Sequence, residues 1–266
     1  MGAEPALVRV PVDGLGAVRG DDLAQMSQLC QRTEDALSRD GVAVTRAVYP
    51  EAAGEACAAC LAAGLDGLER MLALPQTMAE RMRGASLRHF VPVWPASAEP
   101  CFAAALRAAL AGEAGAILVE ALGRDAELRE VQLIVSEPGA AAQDVHSDSN
   151  WSADAPRLVT MFVALHDLLD ERMGPTFFWP NTHLPRCFPG GVWLAPTASL
   201  AAERRSVWYA QRAGDAVLMD ACAWHCGGAN TSGTRRTLLA ASFVAPDRDA
   251  AAERVPRLGD FFEITQ

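Results

Sequence analysis

The sequence predicts a mainly β fold, a jelly roll supported by an N-terminal helical layer. After Arg129, short runs of β-branched and aromatic residues alternate with clusters of Gly, Pro, Asn and Asp, which is typical of β-sandwiches and barrels. No long helical pattern separates these runs, so a parallel, doubly wound sheet is disfavoured. We expect a single domain over residues 1–266, with helical support mainly in 21–125 and the jelly-roll core in about 130–246.

The N-terminal half combines short strands with helical segments. Alternating apolar residues and turn signals predict an edge strand and a second strand, at 6–10 and 41–45. Apolar residues at helical spacing, with many Ala, Leu and Glu, predict helices at 21–40, at 51–82 with a break near Pro75, and at about 100–122.

The C-terminal half carries the predicted strands of the jelly roll. They lie at 131–136, 141–148, 158–166, 175–179, 191–195, 206–210, 215–220 and 236–244. After the strand at 215–220, the chain reaches Trp224 and His225, and loop-forming residues then occupy 227–234. Such a loop can reverse the chain. We therefore expect a hairpin that brings His225 close to Arg236.

Composition limits the classes of function. The net charge is −10, and because the sequence contains no lysine, all 23 basic residues are arginine. An acidic chain of this kind disfavours a nucleic-acid partner, whose phosphates require a basic surface. No apolar run is long enough to span a bilayer and no secretory pattern is present, so we expect no membrane partner and a cytoplasmic location. Without lysine, an anionic ligand has to be bound by arginine.

The tripeptide His146-Ser147-Asp148 suggests a metal site. Side chains alternate along a strand, so an imidazole and a carboxylate two residues apart share one face. With His225 as a second imidazole, the set matches the two histidines and one carboxylate of non-heme Fe(II) oxygenases, which leave positions open for a cosubstrate and O2. Asp144 has the same parity as Asp148, so two carboxylates compete for the ligand role.

Arg236 lies eleven residues after His225, where it could hold the far end of such a cosubstrate. A guanidinium group suits a carboxylate because it is planar, permanently charged and bidentate. Arg235 is the alternative, since the strand register is not fixed by the sequence.

Four motifs, in order along nearly the whole chain, resemble the phytanoyl-CoA dioxygenase-like family of Fe(II)/2-oxoglutarate-dependent oxygenases. They are similar to the family's N-terminal strand, metal motif, Gly-Pro turn and C-terminal hairpin, at 40–46, 143–148, 174–183 and 214–236. The resemblance implies a double-stranded β-helix. It also implies the site residues, which are the iron ligands His146, Asp148 and His225, with Arg236 on the C5 carboxylate of 2-oxoglutarate. Gly227 departs from the serine that some members carry near the cosubstrate.

The function implied by the resemblance is a dioxygenase that uses Fe(II), 2-oxoglutarate and O2. We expect it to hydroxylate a small-molecule metabolite, although desaturation and ring formation use the same oxidant. A CoA ester is less attractive because the chain is acidic, unless Arg81, Arg83 and Arg88 line the pocket mouth. The alternatives are a non-catalytic metal-binding jelly-roll module and a cupin-type oxygenase independent of 2-oxoglutarate, neither of which needs Arg236. The substrate and the oligomeric state are not predicted.

Overall fold

The computed structural model describes residues 8–9, 36–48, 50–73, 87–93, 100–246 and 257–258. Within these ranges the strands form two sheets, one of six strands and one of four. The strands are β1 Val8–Arg9, β2 Val42–Thr45, β3 Arg88–Pro92, β4 Glu127–Ser136, β5 Leu158–Ala164, β6 Thr176–Trp179, β7 Val207–Trp208, β8 Ala216–Asp220, β9 Trp224–Gly227 and β10 Arg236–Val244. The mainly β prediction is therefore confirmed.

The strand order is that of a jelly roll. The larger sheet runs β2-β8-β5-β10-β4-β3 and the smaller sheet runs β1-β7-β6-β9. Strand pairing is antiparallel, except between β1 and β7. From β6 onward the chain passes repeatedly between the two sheets. Residues close in sequence therefore lie in opposite sheets. The predicted division into a single domain over 1–266 stays a prediction.

The longer helices precede β4. The helices are α1 Pro50–Leu72, α2 Pro100–Leu110, α3 Glu113–Leu122 and α4 Ala198–Ala202, with short 3-10 helices at Glu171–Met173, Pro185–Cys187 and Pro189–Gly191. Residues 36–40 are also helical, while 21–35 and 74–82 of the predicted helices lie outside the described residues. No single described helix has the length and apolarity to cross a membrane; α2 and α3 pass that test only as a pair, across an 84° bend.

The helix predicted at about 100–122 is two helices. Ala111 and Gly112 separate them, and the backbone of Gly112 has non-helical dihedral angles (φ −109°, ψ −148°). Glycine is a weak helix former, which favours a break at this position. A Cβ on Gly112 would also lie 2.5 Å from Val48 Cγ2, so the bend allows close packing against the segment that follows β2.

Two apolar clusters pack the opposite faces of the larger sheet. The first joins α1, α2 and α3 to the outer face of the sheet, including Leu239 and Phe243 of β10. The second lies between the sheets and includes Leu238 and Ala240 of the same strand. Because side chains alternate along a strand, Arg236 shares the inner face with these two residues. Packing of the outer face by helices thus determines which residues of β10 face the interior.

Two predicted strands and the predicted hairpin are wrong. Segment 141–148 contains only one bridge residue, His146, and segment 191–195 contains no strand. β9 pairs with β6, whereas β10 pairs with β4 and β5. The loop at 228–235 therefore crosses from the smaller sheet to the larger one. Its composition predicts a loop correctly but does not specify which strands it joins.

The packing of α1 predicts opposite effects for two glycines in this helix. A Cβ on Gly64 would lie 2.1 Å from Cδ2 of the fully buried Leu133, so we expect Gly64→Ala to lower the free energy of unfolding by about 1–2 kcal/mol through overpacking. Gly54 has no atom within 4 Å of the added Cβ, so Gly54→Ala should raise it by about 0.5–1 kcal/mol. Urea denaturation measures both changes. Equal effects would contradict the packing of α1 on β4.

Candidate metal centre

His146 and His225 lie side by side because their backbones pair. The amide N–H of His146 donates to the carbonyl of His225 (2.9 Å), and the N–H of His225 donates to the carbonyl of His146 (2.8 Å). Gln143 extends this pairing, since its amide N–H donates to the carbonyl of Gly227 (2.9 Å) and its side-chain oxygen accepts from the N–H of Gly227 (2.9 Å). The imidazole rings are consequently 4.3 Å apart between centroids.

Backbone carbonyls orient both imidazoles. Nδ1 of His146 lies 2.8 Å from the carbonyl oxygen of Asp144, and Nδ1 of His225 lies 3.1 Å from that of Ala223. A carbonyl oxygen only accepts hydrogen bonds, so in the neutral ring each Nδ1 carries the proton and Nε2 has the lone pair that can bind a metal. Burial lowers the pKa of His225, against the opposing effect of Asp148, and so favours the neutral ring that binds metals.

Asp148 completes a group that can hold a metal ion. Its Oδ1 lies 3.5 Å from Nε2 of His225 and 3.9 Å from Nε2 of His146. The three ligand atoms all lie within 4.8 Å of one another. His225 is buried, whereas His146 and Asp148 are partly open, so the group is accessible from one side. Asp144, the rival carboxylate, is outside this group and contributes its backbone carbonyl to His146 instead.

The metal group opens into a cavity of about 650 Å³ that Arg236 also lines. The cavity floor is the inner face of the larger sheet, where β10 pairs with β4 on one side and β5 on the other. Along β10 this face runs from Arg236, through an apolar stretch, to Ser242, whose hydroxyl is 3.0 Å from that of Thr160. The smaller sheet supplies His225 and Thr176 to the same cavity. A molecule bound at the metal can therefore extend to Arg236 in one direction and to polar groups in the other.

Arg236 is buried without a carboxylate partner among the described residues. Only 1% of it is exposed. Its Nη2 donates to Ser136 Oγ (3.1 Å) and its Nη1 to Thr176 Oγ1 (3.4 Å), while its Nε has no partner. Burial, and next the charge of Arg88, lower the pKa of Arg236 to about 9. The environment therefore disfavours the charge of this guanidinium, and an anion bound beside it would stabilise that charge.

Arg235 lies outside the cavity. Its Nη2 and Nε contact the two carboxylate oxygens of Glu137 at 2.8 and 2.9 Å, on the surface of the protein. The alternation of side chains along β10 separates the two neighbouring arginines. The roles predicted for His146, Asp148, His225 and Arg236 remain predictions, but the structure brings all four side chains to one cavity.

The comparisons with known proteins agree with this geometry. A protein-family model described as "Phytanoyl-CoA dioxygenase (PhyH)" matches residues 37–238, well over half of the chain. The chain belongs to this family. Members of the phytanoyl-CoA dioxygenase family are Fe(II)- and 2-oxoglutarate-dependent enzymes, so the predicted oxidoreductase class and the predicted use of iron, 2-oxoglutarate and O2 are confirmed. No curated protein sequence matches the chain.

Solved structures show the same fold. SnoN, a non-heme α-ketoglutarate-dependent epimerase from nogalamycin biosynthesis, has a TM-score of 0.63 and 19% identity, over 87% of this chain and 99% of its own. SnoK, a carbocyclase from the same biosynthesis, has a TM-score of 0.57 and 18% identity, over 80% and 83%. EctD from S. alaskensis, solved with 2-oxoglutarate and 5-hydroxyectoine, has a TM-score of 0.60 and 18% identity, over 80% and 75%.

The position of Arg88 differs from the one that the sequence suggested. The prediction grouped Arg88 with Arg81 and Arg83 at a pocket mouth, but Arg81 and Arg83 lie outside the described residues, and Arg88 is 1% exposed beside Arg236. Its Nη1 donates to Ser136 Oγ (2.7 Å), and its Nη2 donates to the carbonyls of Ala141 (3.1 Å) and Gly228 (2.7 Å). Only the alternation of side chains in Arg88–Pro92 could have suggested that the Arg88 side chain points inward. Which face of the strand is the inner one depends on its pairing with β4.

Asn230 holds the loop that leads into Arg236. Its Nδ2 donates to the carbonyls of Ser136 (2.9 Å) and Thr234 (2.8 Å), and its Oδ1 accepts from the N–H (3.1 Å) and hydroxyl (2.7 Å) of Ser232. The side chain is fully buried. It therefore ties the end of β4 to the start of β10, the two strands that carry Ser136 and Arg236.

We expect Asn230→Ala to lower the free energy of unfolding by about 1–3 kcal/mol, because the carbonyl of Ser136 loses a buried donor and the carbonyl of Thr234 loses a partly buried one. Ser232→Ala is the control, since it removes a partly exposed hydroxyl from the same loop and should cost about 1 kcal/mol or less. Urea denaturation of both variants distinguishes them. A loss for Ser232→Ala equal to that for Asn230→Ala would show that Asn230 does not fix the loop.

Proposed function

We propose that this protein is an Fe(II)- and 2-oxoglutarate-dependent dioxygenase that hydroxylates a small-molecule metabolite, with release of succinate and CO2. The observation that carries the proposal is one cavity lined both by a histidine–carboxylate group and by a buried guanidinium that has no carboxylate partner among the described residues. A non-catalytic module or a cupin-type oxygenase independent of 2-oxoglutarate would have no use for the guanidinium. Its burial beside hydroxyl groups alone, at the cavity, favours the 2-oxoglutarate-dependent activity.

His146, Asp148 and His225 are the residues that would hold Fe(II). Two neutral imidazole nitrogens and one carboxylate are the donor set expected for this metal, and three protein ligands leave coordination positions for other molecules. The bonds from Nδ1 to the carbonyls of Asp144 and Ala223 keep both rings oriented toward the metal position. The donors therefore fit the metal that the family uses.

Arg236 would bind the C5 carboxylate of 2-oxoglutarate. The hydroxyl groups of Ser136 and Thr176 accept from the guanidinium of Arg236 and restrict it at the edge of the cavity that it lines. An isolated buried charge is costly, and a carboxylate that forms hydrogen bonds with it offsets that cost. Fe(II), when bound with 2-oxoglutarate and O2, supplies the oxidant that removes hydrogen from a carbon atom of the substrate.

The shape and lining of the cavity support a small substrate. Its volume, about 650 Å³, falls in the range of small-molecule sites. Beyond the metal group the floor combines apolar side chains, such as Phe90 and Phe162, with Gln132 and the hydroxyl groups of Thr160 and Ser242. Such a wall suits a partly apolar molecule that carries hydrogen-bonding groups. Hydroxylation is the simplest outcome of hydrogen removal. Other outcomes occur among the similar structures, since SnoN is described as an epimerase and SnoK as a carbocyclase.

One test of the proposed function compares two carboxylates, Asp148 and Asp144, that the sequence left as alternatives for the ligand role. Asp148→Asn should lose most of its bound iron, because an amide is a far weaker ligand than a carboxylate. Asp144→Asn should retain iron, because this carboxylate is outside the metal group. Iron content after anaerobic reconstitution with Fe(II) gives the answer. Retention by Asp148→Asn together with loss by Asp144→Asn would reverse the assignment.

A second test separates cosubstrate binding from metal binding. Arg236→Ala should weaken 2-oxoglutarate binding by about thirtyfold or more, since truncation of one partner of a buried charge pair costs about 2–5 kcal/mol. Its iron content should stay unchanged, and Arg235→Ala should bind normally because Arg235 pairs with Glu137 at the surface. Anaerobic titration of the Fe(II) protein, followed by the weak visible charge-transfer band, measures the affinity. Iron loss in Arg236→Ala would contradict the assigned roles, and the absence of both band and succinate in the wild type would contradict the enzyme itself.

A further inference from the structure

Two buried guanidinium groups share one hydroxyl at the end of the cavity. Ser136 Oγ accepts from Nη1 of Arg88 (2.7 Å) and from Nη2 of Arg236 (3.1 Å). Both arginines are 1% exposed, both have an Nε without a partner, and neither forms an ion pair with any described carboxylate. Two like charges in the low-dielectric interior of a protein repel each other more strongly than they do in water. An anion bound by Arg236 at this end of the cavity would reduce the repulsion between the two charges.

Strand register places these three side chains in one row. Arg88 of β3 is opposite Ser136 of β4, and Ser136 is opposite Arg236 of β10. Arg236 lines the cavity, whereas Arg88 lies behind it and is held by the carbonyls of Ala141 and Gly228. Arg88 therefore acts on a ligand in the cavity indirectly, through Ser136 and through its charge.

Gly227 provides the space that Arg88 occupies. A Cβ on Gly227 would lie 2.4 Å from Nη1 of Arg88 and 2.6 Å from Oε1 of Gln143. Any side chain at this position would thus displace the guanidinium or the glutamine. Some family members carry serine at the position of Gly227. In this chain the missing side chain leaves the space that Arg88 fills, so the two residues depend on each other.

We propose that Arg88 is a positioning residue that makes the cavity selective for a cosubstrate with a second carboxylate. Arg88 fixes the hydroxyl of Ser136, which in turn fixes Arg236, and it adds a second positive charge close to the carboxylate that Arg236 binds. The inference rests on the proposed function and extends it to a residue that does not itself line the cavity.

The test compares two oxoacids of equal chain length. 2-Oxovalerate has the keto acid end of 2-oxoglutarate but lacks the second carboxylate. We expect Arg88→Gln to weaken 2-oxoglutarate binding by about tenfold or more, as for removal of one charge from a buried network. Its affinity for 2-oxovalerate should change less than about twofold, and Arg88→Lys should recover part of the loss. Anaerobic titration of the Fe(II) protein, followed by the visible band, measures the affinity of the wild type and of both variants for each oxoacid.

The outcomes separate the two proposals. Equal weakening for both oxoacids would mean that Arg88 only supports the local structure, and unchanged affinity for both would mean that it has no role; either result overturns the inference. If the wild type shows no band with 2-oxoglutarate and none with 2-oxovalerate, the proposed function is rejected, and the inference with it. The distinction does not depend on a known substrate.

Gly227 supplies an independent variant. Gly227→Ala should lower the preference for 2-oxoglutarate over 2-oxovalerate, and it should add little to Arg88→Gln, because both changes remove the same interaction. Gly233→Ala is the control, since a Cβ there meets no atom within 4 Å. Fully additive effects of Gly227→Ala and Arg88→Gln would contradict the pairing of these two residues.

Discussion

The burial of two guanidinium groups, neither with a carboxylate partner in the part of the chain that the structure describes, is the constraint on which the site depends. Removing such a charge from water costs several kcal/mol, and the hydroxyl and carbonyl groups around Arg88 and Arg236 offset only part of that cost. A bound anion would offset more, so the folded protein and its cosubstrate stabilise each other. The arginines thus connect the stability of the fold with the chemistry of the cavity.

The jelly roll makes this arrangement possible because it places the two parts of the site on opposite sheets. The paired backbones of His146 and His225 hold the imidazoles at the smaller sheet, while Ser136 and Arg236 lie on the inner face of the larger sheet. Helices cover the outer face of the larger sheet, and this packing forces Arg236 inward. A molecule that contacts both sheets has to lie between a metal position and a positive charge, which is the geometry that a chelating dicarboxylate needs.

The sequence predicted the fold class and the four residues that meet in the cavity, because local patterns carry that information. Alternation along 236–244 marks a strand. The spacing of His146 and Asp148 marked the candidate ligand pair, although their segment forms a single bridge at His146 and not the strand that was predicted. Long-range pairing is not encoded locally: β10 pairs with β4 and β5, so the expected hairpin with β9 does not form. Arg88 was missed for the same reason, since its inward direction depends on register with Ser136, 48 residues away.

The most direct measurement is the structure of the anaerobic complex with Fe(II) and 2-oxoglutarate. The account predicts iron bonded to Nε2 of His146, Nε2 of His225 and the carboxylate of Asp148, with the C5 carboxylate of 2-oxoglutarate hydrogen-bonded to Arg236. Iron bound by other residues, or 2-oxoglutarate bound with its C5 carboxylate away from Arg236, would contradict it.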